Sequence, residues 1–184
     1  WLAEQTHHFS DFLVSCADGW EPPQLHRKAL LHGHCHQHAT GGTGPDTKLL
    51  ERMGLEVEGL DAGCCGMAGG WGYEVGHYDV SIACGERVLL PSVRDAPRDA
   101  LIVADGFSCR SQIEQANTGR RALHSAQVLA LARQLGPEGP AEPYPERAAP
   151  PRPAGRRRVL RTVALAAGAA AAVGAVARLQ APHR

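Results

Sequence analysis

Cysteines and histidines are the residues of this chain with the greatest capacity for chemistry. Cys64 and Cys65 are adjacent, Cys35 stands among alternating histidines, and Cys109 follows an Asp-Gly loop. Six cysteines allow three disulfides, but such frameworks belong to secreted proteins. No secretory signal precedes these residues in the 184-residue sequence, which begins at Trp1 and is expected to be a piece of a longer polypeptide. Clustered cysteine beside histidine therefore favours a metal-binding or redox-active site.

Each of these cysteines follows a segment with the character of a strand. Apolar or alternating segments occupy 28–32, 55–60 and 100–104, and helical patterns separate them. The pattern predicts an α/β domain with a small, largely parallel sheet flanked by helices. The carboxyl ends of parallel strands open onto one edge of a sheet. Four cysteines are therefore expected to converge there: Cys35, Cys64, Cys65 and Cys109.

Four convergent thiolates suit zinc or an iron–sulfur cluster, and their spacing alone does not decide between the two. The Cys-x-x-Cys pairs typical of zinc sites do not occur in the sequence. The glycine-rich segment 63–72 can bring backbone N–H groups close to cluster sulfurs, which tunes a reduction potential. Met67 and Trp71 are expected to limit the access of water.

Histidines near Cys35 form a second set of candidates. They alternate from residue 32 to residue 38, and on an extended segment they would share the face opposite Cys35. A supporting or solvent-exposed role is expected for most of them. His34 and His36 are the weaker candidate ligands, and His124 is interpreted as a helix-entry residue rather than a catalytic base.

Two further cysteines are interpreted as core residues. Cys16 lies on the apolar face of an amphipathic helix predicted within 1–20, and Cys84 lies on one face of a long helix predicted over 75–93. Buried free cysteine generally behaves as a small hydrophobe.

The cysteine motifs resemble the cysteine-rich "CCG" domain. The resemblance rests on segments 34–36, 63–69 and 105–109 and covers about residues 25–135. That domain recurs in the iron–sulfur subunit of glycolate oxidase, in the C subunit of anaerobic glycerol-3-phosphate dehydrogenase and in the B subunit of heterodisulfide reductase. The chain looks most like the C-terminal iron–sulfur part of bacterial single-chain FAD-linked oxidases of the D-lactate dehydrogenase type.

This resemblance implies an electron-transfer module. A 4Fe-4S cluster on the four cysteines would take electrons from FAD on an upstream flavin domain or subunit that oxidises a 2-hydroxy acid, such as lactate or glycolate. It would pass them to a quinone or cytochrome. The sequence holds no flavin-binding fingerprint, so this chain is not expected to oxidise the substrate alone. Two alternatives stay open: a zinc-stabilised or metal-free module that docks subunits, and thiol–disulfide chemistry at Cys64 and Cys65.

One position departs from the family's pattern. The pattern ends in Cys-x-x-Cys, whose first cysteine falls on Gly106, so that only Cys109 remains. Four thiolates suffice for a four-iron cluster or a zinc ion, and a histidine could substitute. The departure also allows a degenerate domain that keeps the fold and binds no cluster.

The rest of the sequence divides into a lead-in and a tail. We predict a helical lead-in over 1–24, a disordered Pro/Arg-rich linker over 136–158, an Ala-rich helix over 159–178 and a short tail over 179–184. The Ala-rich segment is either a membrane segment or a peripheral helix. Arginines before it would hold the domain in the cytoplasm, at the inner face of the membrane. A net charge of zero offers no argument for nucleic-acid binding, and none is expected.

Overall fold

The computed structural model describes residues 1–150. Its three strands are β1 (Lys28–Leu31), β2 (Glu56–Gly59) and β3 (Leu101–Val103). They form one parallel sheet in the order β2-β1-β3. The predicted α/β class with a small parallel sheet is confirmed.

Helices surround this sheet. The described residues contain seven α-helices: α1 (Phe9–Ser15), α2 (Cys35–Thr40), α3 (Gly44–Arg52), α4 (Tyr78–Glu86), α5 (Leu89–Asp95), α6 (Phe107–Gln115) and α7 (Ser125–Leu135). Short 3₁₀ turns lie at Ala3–Gln5, Trp71–Tyr73 and Pro145–Ala148. The prediction of a single helix over 75–93 is wrong. Val88 leaves the helical region with φ −147° and is the N-cap of a second helix.

Alternation along the strands produces two apolar cores, one on each face of the sheet. Ala29 and Leu31 point to the face that α3 and α7 cover, whereas Leu30 points to the face covered by α5 and α6. Each buried Leu, Ile or Val contributes about 1.5–3 kcal/mol relative to exposure. The second core also contains Cys65 and Cys109. The packing of this core therefore also fixes the positions of these two thiols.

The segment predicted as a disordered linker packs on the domain as far as it is described. Glu146 is 1% exposed and accepts a hydrogen bond of 2.7 Å from Nε of Arg120. Arg120 also donates to the carbonyl oxygen of Ala100, and Ala149 joins the first core. The expectation of a disordered linker thus fails over 136–149. Proline disfavours an α-helix or β-sheet pairing there. Side chains of the domain instead donate hydrogen bonds to the carbonyl groups of the irregular backbone.

The described compact unit spans Trp1–Ala149. Residues 151–158 of the predicted linker, the Ala-rich segment 159–178 and the tail 179–184 lie outside the described residues. Within residues 1–150, no helix is long and apolar enough to cross a membrane.

Candidate functional site

Three chain segments bring the predicted cysteines to the carboxyl edge of the sheet. Cys35 begins α2 just beyond β1, Cys64 and Cys65 follow β2, and Cys109 lies in the first turn of α6 after β3. Because β1 is the central strand, Cys35 stands between the other two segments. The thiols of Cys35 and Cys64 contact each other, and those of Cys65 and Cys109 share a hydrogen bond.

The four thiols form a group that reaches from the core to the surface. Cys65 and Cys109 are 3% and 2% exposed and make up the inner pair. Cys35 and Cys64 are exposed and make up the outer pair. A group bound by all four would therefore be shielded on one side and accessible on the other.

The hydrogen bond within the inner pair shifts the pKa values of its two thiols in opposite directions. The hydrogen bond from Cys109 lowers the pKa of Cys65 to about 6, and backbone N–H groups of Met67 and Ala68 add to this effect against the cost of burial. The same hydrogen bond and burial raise the pKa of Cys109. A thiolate is thus favoured at Cys65 even in the absence of a metal. Burial and the neighbouring thiols also raise the pKa of Cys35, so a bound cation would be needed to ionise Cys35 and Cys109 together with Cys65.

Backbone geometry in the loop after β2 aims N–H groups at the sulfurs. Gly66 has φ +93° and its N–H donates to Sγ of Cys64 at 3.3 Å. A Cβ on Gly66 would lie 2.0 Å from the carbonyl oxygen of Ser81 in α4. Glycine is therefore required here both by the left-handed backbone and by the close approach of the helix. The loop therefore packs directly against α4 while its N–H faces the sulfur of Cys64.

A buried polar pair connects α4, against which this loop packs, to the helix that carries Cys109. Nε2 of Gln112 in α6 donates to the carbonyl oxygen of Ser81 at 3.0 Å and contacts Oγ of Ser81 at 3.1 Å. Both side chains are buried. Neither residue belongs to a motif that the sequence predicted to be functional. The available signal was a polar side chain one helical turn after Cys109 on a face that the core covers.

The histidines do not share a face opposite Cys35, because the chain turns helical at Cys35. His34 caps α2 by accepting a hydrogen bond of 3.3 Å from the N–H of Gln37. Its ring stacks against that of His36 at 6.2 Å between centroids, and the ring of His8 lies 6.4 Å from His34. The two weaker candidate ligands thus belong to a histidine cluster whose third member, His8, the sequence did not indicate.

His32 lies in the core rather than at the surface. It is 2% exposed, its two ring nitrogens have no partner in the described part of the chain, and burial lowers its pKa to about 4. A neutral imidazole therefore fills this position. His124 caps α7 by accepting from the N–H of Ala126 at 3.0 Å, and its interpretation as a helix-entry residue is confirmed.

Glycine is favoured at position 106 because a larger side chain lacks room there, not because the backbone conformation requires it. Its φ of −64° is open to any residue. A Cβ there, however, would lie 2.8 Å from Cβ of His34 and 3.0 Å from Sγ of Cys109. The histidine side chain and the thiol approach each other across the glycine, so the fifth cysteine of the family's pattern would have to displace His34.

Outside the thiol group, the interpretation of Cys16 as a core residue is wrong. Cys16 is exposed, because α1 ends at Ser15 and leaves the cysteine as its cap. Cys84 is half-buried in α4. Met67 is buried as expected, whereas Trp71 lies at the surface and stacks on His77 with ring centroids 4.2 Å apart.

The described residues contain no set of three or more His, Cys, Asp or Glu side chains placed to hold a metal ion. The donor set nevertheless suits a thiophilic metal group. Four thiols lie together, one of them is already disposed to ionise, and backbone N–H groups face the sulfurs.

Comparison with known proteins finds two kinds of relative. Over 106 residues, 57% of this chain and 26% of the relative, the chain is 36% identical to the C subunit of anaerobic glycerol-3-phosphate dehydrogenase from Escherichia coli (strain K12). Over 101 residues, 54% of this chain and 10% of the relative, it is 33% identical to D-2-hydroxyglutarate dehydrogenase of Pantoea ananatis. It is 31% identical over 99 residues to the enzyme of that name from Escherichia coli (strain K12).

The chain therefore spans about a quarter of the first relative's length and a tenth of the others'. No protein-family model matches it, and no solved structure does. The similarity agrees with the resemblance drawn from the cysteine motifs, which included anaerobic glycerol-3-phosphate dehydrogenase. Both kinds of relative are dehydrogenases by name.

Proposed function

We propose that this chain is an iron–sulfur-binding electron-transfer module of a dehydrogenase, with the cluster held by Cys35, Cys64, Cys65 and Cys109. The observation that carries the proposal is the group of four thiols, which three separate strand ends bring together. Similarity to parts of two dehydrogenases supports an oxidoreductase role.

A cluster suits these residues better than a single zinc ion. One tetrahedral zinc needs only four sulfurs at about 2.3 Å, whereas this loop presents backbone N–H groups to the sulfurs as well. In a cluster each cysteine binds its own iron, so the ligands are more widely spaced. The N–H of Gly66 and those of Met67 and Ala68 are placed to stabilise negative charge on the sulfurs. Such hydrogen bonds are a recognised determinant of cluster potential.

When bound, the cluster accepts and releases single electrons. The chain's own contribution is to exclude water on one side and leave access on the other. Cys65 and Cys109 are embedded in the second core, whereas Cys35 and Cys64 face the solvent. Electrons would enter and leave across the outer pair.

A surface rich in aromatic side chains flanks the loop that carries Cys64. Its exposed members are Trp71, Tyr73, Tyr78 and Phe107. Exposed aromatic residues are enriched at protein interfaces. We assign this aromatic surface to the upstream flavin domain or subunit, which would carry FAD and oxidise a small 2-hydroxy acid of the lactate, glycolate or 2-hydroxyglutarate type. A quinone or cytochrome would be the acceptor.

The proposed location of the protein is the cytoplasmic face of the cell membrane. Four arginines precede or enter the segment 159–178, and basic residues gain about 1 kcal/mol each near an anionic surface. Recovery of the full chain in the membrane fraction, compared with a chain ending at residue 155, tests this placement.

An interaction module without redox function is the second candidate. The aromatic surface would serve subunit docking equally well, and Gly106 stands where the family's pattern has a cysteine. Metal analysis after anaerobic purification separates the candidates. Iron and acid-labile sulfide in comparable amounts support the cluster, whereas zinc alone or no metal supports the interaction module.

A further inference from the structure

The chain carries a second cysteine site, away from the four thiols, along one side of α1. Sγ of Cys16 lies 3.8 Å from Nε2 of His7. Nδ1 of the same ring lies 2.8 Å from Oδ2 of Asp11. A thiol, an imidazole and a carboxylate are thus connected in series, which is the arrangement that activates cysteine nucleophiles.

Asp11 determines which ring nitrogen faces the thiol. Its hydrogen bond with His7 holds the pKa of the Asp11 carboxyl below its ordinary value, so the group stays ionised and can only accept. Its other oxygen accepts from Oγ of Ser15 at 3.2 Å, which fixes its orientation. Nδ1 of His7 must then carry the proton, and the lone pair of Nε2 points to Cys16. The ring of Phe12 lies 6.3 Å from that of His7.

The arrangement is open to small reagents. Cys16 is exposed, and the side chains of His7 and Asp11 are 30% and 35% exposed. His7 and Asp11 also line a cavity of about 950 Å³ between α1 and α2. A reagent can therefore reach the sulfur without unfolding of the helix.

We propose that Cys16 is a reactive thiol that is reversibly modified by low-molecular-weight disulfides, with His7 as its base and Asp11 as the residue that positions the base. His7 takes the proton from the Cys16 thiol, and the thiolate attacks one sulfur of the disulfide. The new bond joins Cys16 to that sulfur, the original S–S bond breaks, and the second half leaves as a thiolate that takes up a proton. Exchange of this kind needs no other oxidant. A second thiol reverses it.

The test measures disulfide exchange at Cys16 in the full chain. The protein is incubated with excess glutathione disulfide at pH 7, and modification of each cysteine is followed by peptide mass spectrometry. We expect Cys16 to react faster than Cys84 and about tenfold faster than it does in His7→Ala, since the thiolate is the nucleophile. Asp11→Asn should also slow the reaction, whereas His8→Ala, in which the neighbouring histidine is removed, should not.

The exchange rate in concentrated urea distinguishes activation of Cys16 by His7 from a change in the exposure of Cys16. There the wild type and His7→Ala should react at the same rate, because the arrangement is lost. Equal rates for these two proteins in the native state would overturn the proposal, as would equal slowing by His8→Ala. If His7→Ala loses its native circular dichroism, the comparison is made on Asp11→Asn, for which an unchanged rate overturns it. Iron content plays no part in these readouts, so they are independent of the cluster proposal.

Discussion

At the residue scale, the four thiols divide into a buried pair, Cys65 and Cys109, and an exposed pair, Cys35 and Cys64. Parallel strands end at one edge, so cysteines placed after three strands had to meet. Nothing in the residue types shows that Cys65 and Cys109 are buried while Cys35 and Cys64 are exposed. That division depends on how α4, α5 and α6 cover one face of the sheet, which is a property of the packed molecule.

The inner pair predicts how stability of the metal-free protein depends on pH. The lowered pKa of Cys65, about 6, means that its ionisation stabilises the folded state above the ordinary thiol pKa. That contribution is lost as the pH falls towards 6. Cys109, whose pKa is raised, acts in the opposite sense and disfavours the folded state at still higher pH. Stability should therefore increase from pH 6 to about 8.5, by on the order of a few kcal/mol at most.

Urea unfolding of chelator-treated, reduced protein between pH 6 and 8.5 measures this effect. Cys109→Ala removes the S–H donor and should flatten the profile. Cys84→Ala should keep the slope of the wild type. A slope that survives in Cys109→Ala would show that other groups cause it.

The close approach across Gly106 predicts a coupled pair of substitutions. Gly106→Ala should destabilise the fold by about 1–3 kcal/mol, because the new Cβ meets His34 and the sulfur of Cys109. His34→Ala keeps a Cβ, so His34→Gly in the Gly106→Ala background is the relieving change. Denaturant melts of the single and double variants should show coupling of about 0.5–3 kcal/mol in the relieving direction. Additive effects would contradict the contact.

At the scale of elements, strands were easier to predict than helices. The apolar or alternating segments that form β1, β2 and β3 are short and bounded, so their pattern indicated both type and limits. The predicted helix over 75–93 divides at Val88, where Pro91 cannot continue a helix interior and is accommodated in the first turn of α5. Pro91 was therefore a local signal of the break, which the apolar periodicity alone did not show.

The contact between α4 and the loop after β2 predicts a sharp difference between two glycines. Gly66→Ala would place its Cβ 2.0 Å from the backbone of Ser81, which cannot move without displacing α4. We expect a loss of at least about 3 kcal/mol in unfolding free energy and of most bound iron. Gly69 has a similar φ of +75° but open space around it. Gly69→Ala should cost only about 1–2 kcal/mol and keep its iron.

At the scale of the whole molecule, the domain extends beyond the boundary that its composition suggested. Prolines indicated a linker from residue 136, yet the chain packs as far as Ala149. The proline content of this segment indicates which regular secondary structures it cannot form. It does not report whether arginines such as Arg27 and Arg121 will bond to the irregular backbone that passes them.

The ion pair between Arg120 and Glu146 predicts where the chain can be cut. Removing one partner of a buried pair costs about 3–5 kcal/mol. Glu146→Ala and a chain ending at residue 135 should both be strongly destabilised in thermal unfolding. A chain ending at residue 155 should keep the stability of the full chain. Equal stability of the two truncations would show that the packed segment contributes nothing.

The central claim is that four cysteines from three strand ends bind one iron–sulfur cluster. The most direct measurement is iron content with visible absorption for the anaerobically purified wild type, each of the four Cys→Ser variants and the matched control Cys84→Ser. We predict that Cys35→Ser, Cys64→Ser, Cys65→Ser and Cys109→Ser each lose most of the iron and the absorption while Cys84→Ser keeps both. Retention of full iron in any of the four, or equal loss in Cys84→Ser, would contradict the account.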